Sequence, residues 1–424
     1  MPRRQGYALL IALVAGTAAF AAALAFGTSL ITADRRSPSF DDGRARSVPR
    51  NPVPAATPAA PANAAGTWIV TWTGAPVSGE PDTESGYPGH VIRNTVHTSI
   101  GGDAARITLS NLFGTAPLVI DQATVNTRPV TFEGSATVTI AAGRQVVSDP
   151  VTVPVAPDAD LVVALRTPAG GGPVTYHPNT HQTSYLADDK GTWSTANWRY
   201  LTAVEVLNDT APGAIVVIGD SLTAGSGSTT DANTRWTDVL SDRLQHRYGI
   251  ANQGIAGNRL LLDSPATRGG IGGQAGIHRF ERDVLSVSGA KTVIVSLGIN
   301  DVQQAPAEPD AGRIVDGLRS LVERAEARGL RVVGTTLTPF GGFPTWTPER
   351  EAVRQAVNER IRSGGVFDDF ADFDRAVRDP SAPARVLPAY DSGDGLHFND
   401  TGYQALGDLI DLTALSGAPK AGAF

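Results

Sequence analysis

The chain has 424 residues, 41% of them hydrophobic and 18% charged, with a formal net charge of −7. That length suits two or three domains. The hydrophobic share excludes wholesale disorder, and an acidic balance without any Lys/Arg run excludes the electrostatic footprint of a nucleic-acid binder. There is no cysteine, which removes a thiol nucleophile, a Cys-ligated zinc and any disulfide framework.

Arg3 and Arg4 precede an uncharged stretch from Tyr7 to Ala33 that is rich in Ala, Leu, Ile and Phe. A basic start followed by an apolar run reads as an export signal, and the run also reaches the roughly 20 residues that span a bilayer. Ala23-Leu24-Ala25 offers a small-residue cleavage site. Residues 1–33 are therefore read as a signal peptide or, if retained, a signal anchor attaching the protein to the membrane. The remainder is then secreted or held in the cell envelope. Residues 34–65, dominated by Pro, Ala and Arg and lacking apolar periodicity, read as a linker.

From Gly66 to Leu207 the chain is a series of short β-like runs with Gly/Pro punctuation, among them TWIVTW, ARITLSNLF and DLVVALR. Alternation such as Arg106-Ile107-Thr108-Leu109 fits strands buried on one face. The stretch 66–207 is expected to be an all-β sandwich of jelly-roll type, an accessory domain. From residue 208 to 416 strands alternate with helices. AIVVIGD (Ala214–Asp220), KTVIVSLG (Lys291–Gly298) and LRVVGTTL (Leu330–Leu337) are apolar runs suited to central parallel strands. Helical patterns lie near Trp236–Tyr248, Ile314–Arg328, Glu349–Ile361 and Thr401–Leu412, the last capped by Asn399 or Asp400. This rhythm predicts a three-layer α/β/α domain, followed by a tail at 417–424.

In such sheets functional groups gather beyond the carboxyl ends of the strands. AIVVIGD runs into Gly219-Asp220-Ser221-Leu222, which sets a serine on a tight strand-to-helix turn. KTVIVSLG runs into Gly298-Ile299-Asn300-Asp301, and Asp394-Gly395-Leu396-His397 precedes the last helix. An Asp and a His three apart on one turn can meet, leaving the second imidazole nitrogen to take the serine proton. The resulting oxyanion needs donors. The backbone N–H of Ser221, the Asn300 amide and a glycine N–H from Gly254-Ile255-Ala256-Gly257 are the candidates, with Asp391 a rival to Asp394 as carboxylate.

GDSL followed by TAG, then GIAGN, GIND and DGLH, are similar in order and type to the four signature blocks of SGNH (GDSL-type) hydrolases. The resemblance covers about Val216 to Gly402. It implies a flavodoxin-like α/β/α fold and an esterase with Ser221 as nucleophile, His397 as base and Asp394 as its orienter. Ser221, Gly257 and Asn300 are implied as oxyanion donors, with no metal or cofactor. The β-rich stretch, with HTSIGGDA and SNLFGT, also resembles the N-terminal module of exported bacterial members.

The expected activity is hydrolysis of carboxylic esters through an acyl-serine, on a small-molecule or polysaccharide ester, with short acyl groups on carbohydrate favoured by the export features. Lipid-ester hydrolysis and acyl transfer use the same residues. A non-catalytic envelope protein that binds carbohydrate is the reading from another class. Two further features receive structural readings. Gly270-Ile271-Gly272-Gly273-Gln274-Ala275 follows no apolar strand and reads as a loop, not a dinucleotide site. Asp368, Asp369, Asp372 and Asp374 read as solvated strand-end carboxylates, not a metal site.

Overall fold

In a computed structural model the described residues are 66–265 and 271–416. The export segment and linker (1–65), Gly270 of the glycine-rich loop and the tail at 417–424 lie outside them. Among the described residues no helix is long and apolar enough to cross a membrane.

The β-rich part forms two larger antiparallel sheets. The strands used below are β1 (Thr67–Thr73), β2 (His90–Thr98), β3 (Gly102–Ser110), β4 (Gln122–Val125), β5 (Val151–Val155), β6 (Ala159–Thr167), β7 (Ser184–Asp188), β8 (Gly191–Thr195) and β9 (Leu201–Asn208). One sheet runs β1-β9-β3-β5, with Gln145–Val147 added on β3. The other runs β8-β7-β2-β6-β4 and ends on Arg128–Pro129. β6 shows why these segments are strands: in ADLVVALRT, Leu161, Val163, Leu165 and Thr167 are buried while their neighbours face outward. The period of two turns every second side chain to one face. Ile107, Leu109, Val125, Val163 and Val206 share one core.

The second part contains the strands β10 (Ala214–Gly219), β11 (Gly249–Gly254), β12 (Ala290–Ser296), β13 (Arg331–Thr335) and β14 (Asp369–Ala371). They pair in parallel in the order β11-β10-β12-β13-β14. Counted within this part the order is 2-1-3-4-5, the flavodoxin-like doubly wound arrangement. All six residues of β10 are buried. Ile215 and Val217 pack on one side with Trp236, Phe373 and Tyr403, whereas Val216 and Ile218 face the core that holds Phe280 and Leu318. Helices α2 (Trp236–Arg243), α7 (Phe373–Val377) and α8 (Asp400–Leu409) cover the first face; α3 (Gly276–Phe280), α5 (Ala311–Glu326) and α6 (Pro348–Arg362) cover the second. This is the expected three-layer domain. Two short helices, α1 (Ser221–Ala224) and α4 (Ile299–Gln303), start directly beyond β10 and β12.

The helix limits follow local chemistry. The α2 pattern extends to Tyr248 in sequence, but the helix stops at Arg243, and Gln245 and His246 adopt positive φ. Asn399, not Asp400, caps α8, accepting from the Gly402 N–H at 3.0 Å. The four-aspartate stretch is less solvated than its composition suggests. Asp374 is fully buried, bonded to Arg354 and Arg362, and Asp368 is also buried. Asp372 pairs with Arg362 and caps α7.

β11 is an edge strand, and the β-rich part covers its outer backbone groups. The Ile250 N–H donates to Ser99 Oγ at 2.9 Å, and Thr73 Oγ1 donates to the Asn252 carbonyl at 3.1 Å. Nearby, the Val70 N–H donates to the Ser288 carbonyl, and Ser288 Oγ donates to Glu205, which also holds Arg106. Ala75 and Val77 form a small apolar cluster with Ile255. The two parts are thus joined by a continuous packed and hydrogen-bonded seam, within one compact unit.

Candidate active site

The sequence-predicted residues converge at the carboxyl ends of β10, β11 and β12. Gly219 is in register with Gly254 on one neighbour and with Ser296 on the other. Ser221, Gly257 and Asn300 therefore leave three adjacent strands at one level. Ser221 opens α1, where Asp220 accepts from the Leu222 N–H at 3.0 Å and caps the turn. Burial pushes the Asp220 carboxyl up to about 7, and nearby Asp301 adds to the shift.

His397 Nε2 lies 2.9 Å from Ser221 Oγ, and Nδ1 lies 2.6 Å from Asp394 Oδ2. A carboxylate on Nδ1 keeps the proton there, so Nε2 accepts from the serine hydroxyl. The other Asp394 oxygen accepts from the Leu396 and His397 N–H groups at 2.9 and 2.8 Å. Burial alone raises the Asp394 carboxyl, but the His397 ring and these two N–H groups outweigh it and hold it below the ordinary value. Asp391 does not compete for the imidazole. It accepts from the Gly393 and Gly395 N–H groups and shapes the loop. The ring of Phe343 stands edge-on to His397, with centroids 6.3 Å apart.

The two glycine candidates separate physically. A Cβ on Gly254 would lie 2.3 Å from the Ala224 nitrogen, so its role is to let β11 approach α1. Gly257 has φ +74°, and its nearest obstacle would be a side-chain atom at 3.5 Å; it is a glycine because of its backbone conformation. Asn300 is buried, and its Oδ1 accepts from Gln303 and Gln304 at 2.7 and 2.9 Å. Those donors fix the amide orientation, and Nδ2 donates to the Asn258 carbonyl at 2.9 Å with its second hydrogen left over.

Sequence reasoning missed Arg279. Its side chain is wholly buried and donates to Gly219 O at 2.9 Å, Gln253 O at 2.8 Å and Asn258 Oδ1 at 3.0 Å, with Asp283 at 3.2 Å. One guanidinium thereby ties the end of the serine-bearing strand to the loop that carries Gly257 and to the partner of Asn300. No motif marks it. Asp301, also missed, is buried and accepts from the Leu260 and Leu261 N–H groups at 2.7 and 2.9 Å, fixing that loop from the other side. His181 comes from the β-rich part. Burial lowers its pKa, and the charges of Arg235 and His397 lower it further.

A hydroxyl bonded to an imidazole that a carboxylate holds from behind is arranged to attack an electrophilic carbon. The fold and this arrangement define a carboxylic ester hydrolase. The comparisons agree: residues 217–405 match the model of the GDSL-like Lipase/Acylhydrolase family, and the chain carries that catalytic domain. No curated protein matches the chain. Among solved structures it is similar to a GDSL-like lipase from Bacteroides thetaiotaomicron, at 20% identity over 48% of this chain and 88% of that one, TM-score 0.35. It is similar to Est24, a carbohydrate acetylesterase from Sinorhizobium meliloti, at 20% identity over 46% of this chain and 94% of that one, TM-score 0.35. It is also similar to an aryl esterase from M. smegmatis, at 19% identity over 47% of this chain and all of that one, TM-score 0.37.

Proposed function

We propose that the protein is an exported serine esterase that removes short acyl groups, acetyl above all, from carbohydrate. One observation carries the catalytic part: the unbroken chain of hydrogen bonds from Ser221 Oγ through His397 to Asp394. As Ser221 Oγ attacks the ester carbonyl carbon, its proton passes to His397 Nε2. The carbonyl oxygen becomes an oxyanion facing the Ser221 and Gly257 N–H groups and Asn300 Nδ2. Collapse breaks the ester C–O bond, His397 returns the proton to the leaving alcohol, and an acyl-serine remains. Water, deprotonated by the same imidazole, then releases the acid.

The carbohydrate reading draws support from the N-terminal export pattern and from the β-rich part, which we take to be a β-sandwich because its two antiparallel sheets turn alternating apolar faces to a shared core. The test is hydrolysis of p-nitrophenyl acetate, butyrate and octanoate by the protein and its Ser221→Ala variant. Serine-dependent turnover that is highest on acetate is expected, followed by release of acetate from acetylated polysaccharide. A maximum at octanoate would assign the site to lipid esters instead.

A further inference from the structure

A cavity of about 220 Å³ lies at the seam between the β-rich part and α2, and neither Ser221 nor His397 lines it. By comparison, one water needs roughly 10–15 Å³, so the space holds several waters or one small ring. Trp72 and Trp198, packed edge to face with centroids 4.7 Å apart, line it on the β side. Ala224 and Gly254, at the back of the turn that carries Ser221, line it on the other.

Its polar lining is short of donors. His177 is only 6% exposed, and its Nδ1 lies 2.7 Å from the Ala75 carbonyl, so Nδ1 carries the proton and Nε2 is left as an acceptor without a partner. Burial lowers the His177 pKa to about 4, so the ring stays neutral and that acceptor persists at neutral pH. Gln182 is 1% exposed; its Nε2 donates to Asp160, and its Oε1, though unpartnered, is closed off from the cavity. Asp158 and Asp242 add carboxylates at the rim. The one guanidinium in the lining, Arg235, is engaged with the Ala224 and Thr180 carbonyls and Asp238. An unpaired acceptor facing the cavity favours a guest that brings a donor.

We propose that this cavity is a second, non-catalytic site for a single sugar-sized polyol. One hydroxyl donates to His177 Nε2 while the ring packs against the tryptophans. The inference does not depend on the ester chemistry. It gives the seam a binding role and places the guest directly behind the Ser221 turn.

The test is a titration of tryptophan fluorescence in the full chain, in EDTA, with D-xylose, D-glucose and the hydroxyl-free ring tetrahydropyran. Saturable quenching by a sugar with Kd at or below ~10 mM is expected, with no response to tetrahydropyran. His177→Phe, which keeps a ring in that place but removes Nε2, should weaken the sugar at least ~10-fold in a protein that still melts cooperatively. Four results would each overturn the proposal: no saturable response, an equal response in His177→Phe, an equal response to tetrahydropyran, or a response only after Ca²⁺ or Mn²⁺ is added. The last would assign the cavity mouth to a cation held by Asp158, Asp242 and His246, whose ligand atoms lie within 4.8 Å of one another.

Discussion

Arg279 donates to the carbonyl oxygen of Gly219, two residues before Ser221, at 2.9 Å. The same guanidinium holds Asn258, whose carbonyl receives the Asn300 amide. Ser221 and Asn300, the proposed nucleophile and oxyanion donor, are thereby referred to one buried cation. A lysine keeps the charge but, with three donors on a single nitrogen, cannot serve four diverging acceptors. Arg279→Lys should lower kcat by ~10–100-fold with KM little changed, because the groups displaced act on the transition state. It should also cost ~2–4 kcal/mol of stability through unpaired buried carbonyls. Steady-state kinetics beside chemical denaturation check both; an unchanged kcat in a destabilised protein would make Arg279 purely structural.

Asp394 and Asp391 lie on one loop, yet only Asp394 reaches the imidazole. Asp394→Asn should reduce kcat by about 10³–10⁴-fold, the usual cost of losing the orienting carboxylate. Asp391→Ala should lose less than ~10-fold and show its effect chiefly as ~1–2 kcal/mol of lost stability from two unmade N–H bonds. Equal losses of kcat in the two variants would reverse the assignment.

Two buried groups set opposing pH dependences. Asp220 is raised to about 7 by burial. Its contribution is complete below an ordinary aspartate pKa and is lost as pH rises through 7, since ionisation then charges a buried group. His177 is depressed to about 4 by burial. Its contribution is complete above the ordinary histidine pKa and is lost as pH falls towards 4, since unfolding then takes up a proton. Each is on the order of 3–4 kcal/mol, and between about 4 and 6.5 the two slopes largely cancel. Asp220→Asn should therefore show stability falling with acidification across that window, and His177→Asn should show it falling with alkalinisation. Urea midpoints at pH 4.5, 5.5 and 6.5 decide it; parallel profiles in both variants and the parent would refute it.

Chemistry confined to short local blocks was legible in the sequence. Ser221, Asn300, Asp394 and His397 each sit in a strand-end or loop tetrapeptide, and the structure brings them to one place. Strand β11 was not legible, because GIANQG has little of the apolar run expected of a parallel strand. It tolerates Asn252 because that side chain bonds to Thr223 O and Thr237 Oγ1. Arg279 was hidden for a different reason: two of its partners, Gly219 O and Gln253 O, are backbone carbonyls that leave no trace in residue type. The seam between the two parts was equally silent, since it is made by Ser99, Thr73 and Val70, residues common in any strand.

Because of that seam, the parallel-sheet part is expected to fail as an isolated unit. Residues 208–416 alone would expose Ile255 and the edge of β11, whose N–H and C=O groups Ser99 and Thr73 now occupy. Unprotected edges invite pairing with other chains. The isolated segment should bind a hydrophobic dye, melt without cooperativity and aggregate, with less than ~10% of the parent's esterase activity. A soluble, cooperatively melting and fully active segment would contradict this.

The position of β1 and β2 ahead of β11 in the chain has a consequence for biogenesis. During synthesis the N-terminal sheets emerge first and can fold before the parallel sheet exists. When β11 leaves the ribosome, the side chains that shield its edge have already been made. A circular permutant that delivers residues 208–416 first would reverse this schedule, leaving a naked strand until its cover arrived. The order of the two parts thus acts as a built-in safeguard against misassembly, encoded in the direction of translation.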